Sequence, residues 1–245
     1  MCSLEKRGNI YVLTLTGDDQ HRFNPTLLDA ISAALHRVRA ETIATSSSSA
    51  LITTAHGKFF SNGYDLDWAS KDPNRPKIMS LKLRSVIKDL ISLPMPTIAA
   101  ITGHAAASGV ILALSHDYVF MRKDRGFMYM SEMDIGMKVP VWFVKLLRCK
   151  IGSPAVWRDV VLRAAKMTAE VAVEKGVIEA ACESAEMTVE KAVELGEELV
   201  RRRWKGHVYA DNRLTVFGDV LSVIEFDETV ENVDVSGLSN NVSRL

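Results

Sequence analysis

Lys58-Phe59-Phe60-Ser61-Asn62-Gly63-Tyr64-Asp65-Leu66 and Ile101-Thr102-Gly103-His104-Ala105-Ala106-Ala107-Ser108-Gly109 are the two stretches whose reading decides the fold. Each runs from strand-like residues into a glycine turn, and the second continues into a helix-forming segment, Val110 to Leu114. A strand that turns into a helix leaves the helix's first N–H groups without intrahelical partners, at the end where its dipole favours negative charge. The second stretch is no phosphate-binding P-loop, because the Gly-Lys-Ser/Thr ending is missing, and Gly103 and Gly109 lack dinucleotide-fold spacing. Two such turns can aim two N–H groups at one developing negative oxygen, while a single carboxylate after them, Glu132, moves a proton. The plainer alternative is that residues 105–109 are small only so that a helix can pack on a sheet, with Glu132 an exposed helix-start carboxylate.

Working outward, Asn9 to Thr16 is β-branched and apolar, and Gly17-Asp18-Asp19 closes it as a turn. Asn24 is placed as an N-cap and Pro25 as a first helical residue. Leu27, Leu28, Ile31, Ala34, Leu35 and Val38 then follow a helical period. Ala50 to Thr54 reads as a buried strand, so the order strand–helix–strand starts a right-handed βαβ layer. Residues 67–77 read as loop, Ile78 to Ser92 as a helix stopped by Pro94 and Pro96, and Thr97 to Ile101 as another buried strand. A helix is expected from Ser108, a strand over Tyr118 to Met121, and helices over 153–166, 168–176 and 184–203. From Asp227 no period is visible, and a flexible tail is expected.

A chain of 245 residues suits one sizeable α/β domain with an appendage, and 47% hydrophobic with 24% charged residues is ordinary for a globular protein. Thirty basic against thirty acidic side chains make no electrostatic case for nucleic acid. Cys2, Cys149 and Cys182 form no CxxC pair and read as reduced, structural thiols of an intracellular protein. No apolar run approaches the ~18 residues of a membrane span, and the N-terminus does not read as a signal peptide. The ending Ser243-Arg244-Leu245 is a conservative variant of the Ser-Lys-Leu peroxisomal address.

The landmarks fall in order over residues 9–180, and together they resemble the enoyl-CoA hydratase/isomerase (crotonase) superfamily. They are Asn24-Pro25-Thr26-Leu27-Leu28, the Lys58–Leu66 stretch, Pro96 to Ala105, Gly109 to Asp117, and Met130-Ser131-Glu132-Met133-Asp134-Ile135-Gly136. The resemblance implies an α/β fold, a crotonase-type spiral of ββα units, with a catalytic core over 1–195 and a C-terminal helical region and tail over 196–245. It implies oxyanion-hole amides at Tyr64 and Ser108, although the family usually has glycine at the second position. Asn62, Gly63, Asp65, Leu66, Ile111, Trp142 and Phe143 are the expected substrate-binding residues; Asp65 is also expected to cap or orient its turn.

In the hydratases of that family two glutamates work together. Here the first position is Ile111, which cannot hold a water, and the second is Glu132. One carboxylate facing an apolar wall is the arrangement of the family's Δ3,Δ2-enoyl-CoA isomerases, and Gly136 to Phe143 resembles their apolar, proline-containing segment. The resemblance thus implies peroxisomal double-bond isomerisation in unsaturated fatty-acid β-oxidation, with acyl-CoA as substrate, no metal or redox cofactor, and a homotrimer or hexamer. An import receptor for Ser243-Arg244-Leu245 is the expected protein partner. The alternatives are a thioester hydrolase of the same fold and a silent acyl-CoA-binding subunit. His104 and His116 are expected to be structural, and Asp134 lies past the catalytic position. The Arg201-Arg202-Arg203-Trp204-Lys205 run is either a solvated helix end or a contact for CoA phosphates.

Overall fold

The computed structural model describes residues 1–45 and 47–231. Its strands are β1 (Cys2–Arg7), β2 (Ile10–Leu15), β3 (Ala50–Ala55), β4 (Phe59–Ser61), β5 (Thr97–Ile101), β6 (His104–Ala106), β7 (Tyr118–Arg122), β8 (Met128–Tyr129) and β9 (Ala180–Cys182). The helices up to the middle of the chain are α1 (Pro25–Thr45), α2 (Leu66–Ala69), α3 (Arg75–Ile91), α4 (Ser108–Leu114) and α5 (Val141–Lys150). They are followed by α6 (Pro154–Leu162), α7 (Ala169–Glu174), α8 (Ala185–Arg201), α9 (Gly206–Val216), α10 (Gly218–Leu221) and α11 (Glu228–Glu231).

The large sheet has the order β1-β2-β3-β5-β7-β9, parallel except for the β1–β2 hairpin, and the small sheet has the order β4-β6-β8. Strands β3, β5 and β7 each leave the large sheet through a corner and continue as β4, β6 and β8 in the small one. Helices return the chain to the next strand, which is the expected spiral of ββα units. The corners stack so closely that a Cβ on Gly103 would stand 2.3 Å from the Lys58 carbonyl oxygen, so only glycine fits there.

Strand β3 is buried at every residue, as a parallel strand covered on both faces must be. On one face, Ile10, Val12, Ile52, Ile98 and Phe120 pack under α8; on the other, Leu13, Leu51, Ile101 and Val119 pack with residues of α1 and α3. Helix α1 starts where the sequence placed it, and the Asn24 side-chain oxygen accepts the Leu27 N–H at 3.1 Å. Strand β1 has no sequence signal of its own because it is an edge strand, mostly exposed and charged over Glu5-Lys6-Arg7.

Three expectations are corrected. The loop over 67–77 contains the end of α2 and the first turn of α3, because Asp65 caps Trp68 at 3.0 Å and Pro76 suits a first helical turn. The helix expected over 153–166 ends at Leu162, ahead of Ala164 in a left-handed conformation (φ +46°). Asp227, taken as the start of a flexible tail, is fully buried and precedes α11; Ser80 Oγ donates to it at 2.6 Å, a polar anchor that no hydrophobic period reports. Residues 232–245, with Ser243, Arg244 and Leu245, lie outside the described residues.

Candidate active site

The first turn follows β4. Gly63 takes φ +75° and its N–H donates to Ser61 Oγ at 3.2 Å. Phe23 and Tyr64 form an isolated parallel bridge, in which the Phe23 N–H donates to Gly63 O at 2.7 Å and the Asp65 N–H donates to Phe23 O at 3.0 Å. In a parallel bridge the residue between the two bonded groups turns its own N–H the other way. The Tyr64 N–H accordingly has no protein acceptor among the described residues.

The second turn links β6 to α4. Ala107 N–H donates to Tyr129 O at 2.9 Å, and Ala107 itself sits at φ +49°, ψ −124°, a conformation that costs an L residue on the order of 1–3 kcal/mol. Ser108 then opens α4, and its N–H also lacks a protein acceptor among the described residues. The glycine departure noted at Ser108 is therefore harmless to the backbone; the strained position is Ala107, which the sequence reading missed. The two turns abut: a Cβ on Gly63 would lie 3.1 Å from Ala107 Cβ and 3.3 Å from Ser108 Oγ.

Glu132 precedes a short 3-10 turn, Met133–Ile135, and its carbonyl accepts the Met137 N–H at 2.8 Å. The residue is only 6% exposed, its Oε2 has no hydrogen-bond partner among the described residues, and burial pushes its carboxyl up to about 7. Burial also raises the pKa of the Tyr64 phenol, with Asp227 next in effect and Glu132 a smaller contributor.

The expected wall residues Ile111, Trp142 and Phe143 are all fully buried in the main apolar cluster, against which the Tyr64 ring packs; Trp142 and Phe143 meet edge to face with centroids 4.3 Å apart. Leu66 is partly exposed. Asn62 and Asp65 hold the loop: Asn62 Nδ2 donates to Gln20 Oε1 at 2.8 Å, and Asp65 both caps α2 and accepts from Asn24 Nδ2 at 3.2 Å. Buried polar atoms almost always find partners. Among the described residues, the side-chain exceptions include Tyr64 Oη, Ser108 Oγ, Glu132 Oε2 and Trp142 Nε1, all on residues singled out by sequence.

The bystanders behave as expected. His104 stacks between Phe59 and Phe127. Fully buried His116, pushed down to about 4 by burial, contacts Leu112 O at 2.9 Å through Nδ1 and Thr53 Oγ1 at 2.8 Å through Nε2. Arg201, Arg203 and Lys205 line a cavity of about 690 Å³ with Ser47 to Ser49 and Pro96, at the amino ends of β3 and β5. The Gly63 and Ser108 turns lie past the carboxyl ends of those strands, so within one chain this basic run does not face them. No cluster of three or more His, Cys, Asp or Glu able to hold a metal occurs among the described residues, and none of their helices is long and apolar enough to cross a membrane.

Residues 5–211 match the family model described as enoyl-CoA hydratase/isomerase. The chain is 57% identical over 221 residues to the Arabidopsis thaliana protein named enoyl-CoA delta isomerase 1, peroxisomal, covering 90% of this chain and 91% of that one. It is 45% identical over 243 residues to enoyl-CoA delta isomerase 3 of the same plant, covering 97% and 100%. Among solved structures, an enoyl-CoA hydratase of Mycobacterium ulcerans superimposes with a TM-score of 0.83 at 20% identity, covering 96% of this chain and 98% of that one. By fold and by sequence, the chain belongs to the enoyl-CoA hydratase/isomerase family.

Proposed function

We propose that this protein moves the double bond of a 3-cis or 3-trans enoyl-CoA thioester to the 2-trans position, with Glu132 as the single acid and base. The observation that carries this reading is one buried carboxylate, raised to about 7, in a chain whose other family acid position is the buried, apolar Ile111. The Glu132 carboxylate takes the proton from C2, and the C2–H electron pair spreads into a dienolate through the adjacent double bond. The Tyr64 and Ser108 N–H groups stabilise the thioester oxygen of that dienolate; losing one such donor typically costs about 10²–10³ in rate. The protonated Glu132 then delivers its proton to C4, leaving the double bond between C2 and C3 and the enzyme unchanged. CoA is part of the substrate, and no metal or redox group is called on.

The names of the Arabidopsis relatives, delta isomerases that include a peroxisomal one, support the assignment and a peroxisomal residence. Ser243-Arg244-Leu245 is the proposed signal to the import receptor, and a homotrimer or hexamer is the proposed assembly. Hydrolysis of the thioester is disfavoured because Ile111 offers no group to activate water.

The deciding experiment is conversion of 3-hexenoyl-CoA to 2-hexenoyl-CoA beside a 2-enoyl-CoA hydration assay. Fast isomerisation with negligible hydration, abolished in Glu132→Gln while CoA-ester binding persists, is the expected result. Protein that binds CoA esters but does not isomerise them overturns the reading and leaves a silent subunit or another chemistry of the same fold.

A further inference from the structure

Residues 224–231 form a strap that crosses from α3 to the loop following Glu132. On the α3 side Arg84, almost fully buried, donates to the Ile224 carbonyl at 3.2 Å and to that of Glu225, and its Nη2 meets Glu231 Oε1 at 3.0 Å. Asp227, also buried, accepts from Ser80 at 2.6 Å. The next residue, Glu228, reaches the other way. Its Oε1 accepts the Val141 N–H at 3.1 Å and meets Lys138 Nζ at 3.1 Å. Val141 is the first residue of α5, and Pro140 before it has no side-chain acceptor with which to cap the helix.

Between Glu132 and Lys138 the loop has little else to hold it; beyond it, Val139 packs against the main apolar cluster and Pro140 is buried. The loop's 3-10 turn buries no residue, and Met133, Ile135 and Met137 are 53%, 51% and 43% exposed. A segment with so few buried contacts takes its position from its ends. Lys138 is largely exposed, so its ion pair with Glu228 adds little, and the cap on Val141 joins the packing of Val139, Pro140 and Trp142 in holding the carboxyl end.

We infer that Glu228 is a positioning residue for Glu132: anchored through Asp227 and Arg84, it sets the direction in which α5 and the far end of the loop that carries the base are held. The inference rests on Glu132 being that base. Burial is the first cause of the raised Glu132 carboxyl, and the charge of Glu132 in turn acts on the Tyr64 phenol, as do Asp227 and Arg84. Loosening the loop admits water to Glu132, which lowers its pKa and misaligns it together.

Three variants test this, each compared with wild type in the 3-hexenoyl-CoA assay across pH. Glu228→Ala is expected to lower kcat about 10- to 100-fold, with KM changed less than about threefold, because misplacing a catalytic group by an ångström has that effect. The acid limb of its pH profile is expected to move below the wild-type position. Glu228→Gln keeps an oxygen for the Val141 N–H and is expected to restore both kcat and the limb. Val141→Pro removes the N–H at a helix position that accepts proline, and is expected to reproduce the Glu228→Ala profile should that variant fold poorly. A wild-type profile in both Glu228→Ala and Val141→Pro overturns the inference, as does equal damage in Glu228→Gln and Glu228→Ala. Absence of isomerisation in wild type instead overturns the reading of Glu132 on which it rests.

Discussion

Burial disfavours the Glu132 carboxylate up to about pH 7, yet in the proposed reaction only the carboxylate can take a proton from C2. The kcat/KM of isomerisation is therefore expected to rise with pH through about 7 and then level off, a limb that a pH–rate series measures. Glu132→Gln, which keeps shape and removes basicity, is expected to lose about 10²–10⁴ in kcat. Ala107 offers a stability counterpart: Ala107→Gly relieves a positive φ and is expected to stabilise the protein by up to about 1 kcal/mol, read as a raised urea midpoint at unchanged m-value. The proposal of Tyr64, Ser108 and Glu132 could be made from sequence because each sits in a short contiguous motif. The strain at Ala107 was not, since a dihedral angle is set by the close approach of the Gly63 turn, which the sequence does not display.

Among the elements, those with a strong period and clear stops, α1, α3 and α8, were legible to within a few residues. Those defined by a distant partner were not. Helix α9 is such a case, with little amphipathic character and a position fixed by one side chain. Arg213, almost fully buried, donates through Nε to Asp117 Oδ1 at 2.7 Å and through Nη1 to the Leu93 carbonyl at 2.9 Å. Tyr209 adds a hydrogen bond from its hydroxyl to Asp117 at 3.1 Å. Arg213→Ala leaves the Asp117 carboxylate without its ionic partner and several carbonyls without a donor. It is expected to destabilise the fold by about 3–5 kcal/mol, measured by chemical denaturation. The register of β5 against β7 rests on the same place, because Asp117 also accepts the Thr97 N–H at 2.8 Å.

For the molecule as a whole, two buried groups oppose each other in pH. Glu132, raised from 4.5 to about 7, makes the folded state bind more protons than the unfolded one between those values, so its contribution to stability falls as pH rises. His116, lowered from 6.5 to about 4, does the reverse, and its contribution is lost as pH falls through about 4. Each amounts to about 3 kcal/mol at most, and over pH 4.5–6.5 they nearly cancel. Glu132→Gln removes one side of the balance. Relative to wild type at each pH, it is expected to gain stability near neutrality and to lose that advantage towards pH 4.5, which unfolding curves across that range would show. No local motif announces this balance, just as none announces that Ser80 meets Asp227 across 147 positions; the partners are set by the spiral's closure and not by neighbours in the chain. On the proposed reading, the same spiral makes both oxyanion donors main-chain amides. Point substitutions that keep the two turns leave those donors in place, whereas the proton-moving half of the site hangs on one codon. A scaffold so divided is free to exchange one chemistry for another by drift at a few side chains, while its grip on a thioester oxygen is inherited with the fold.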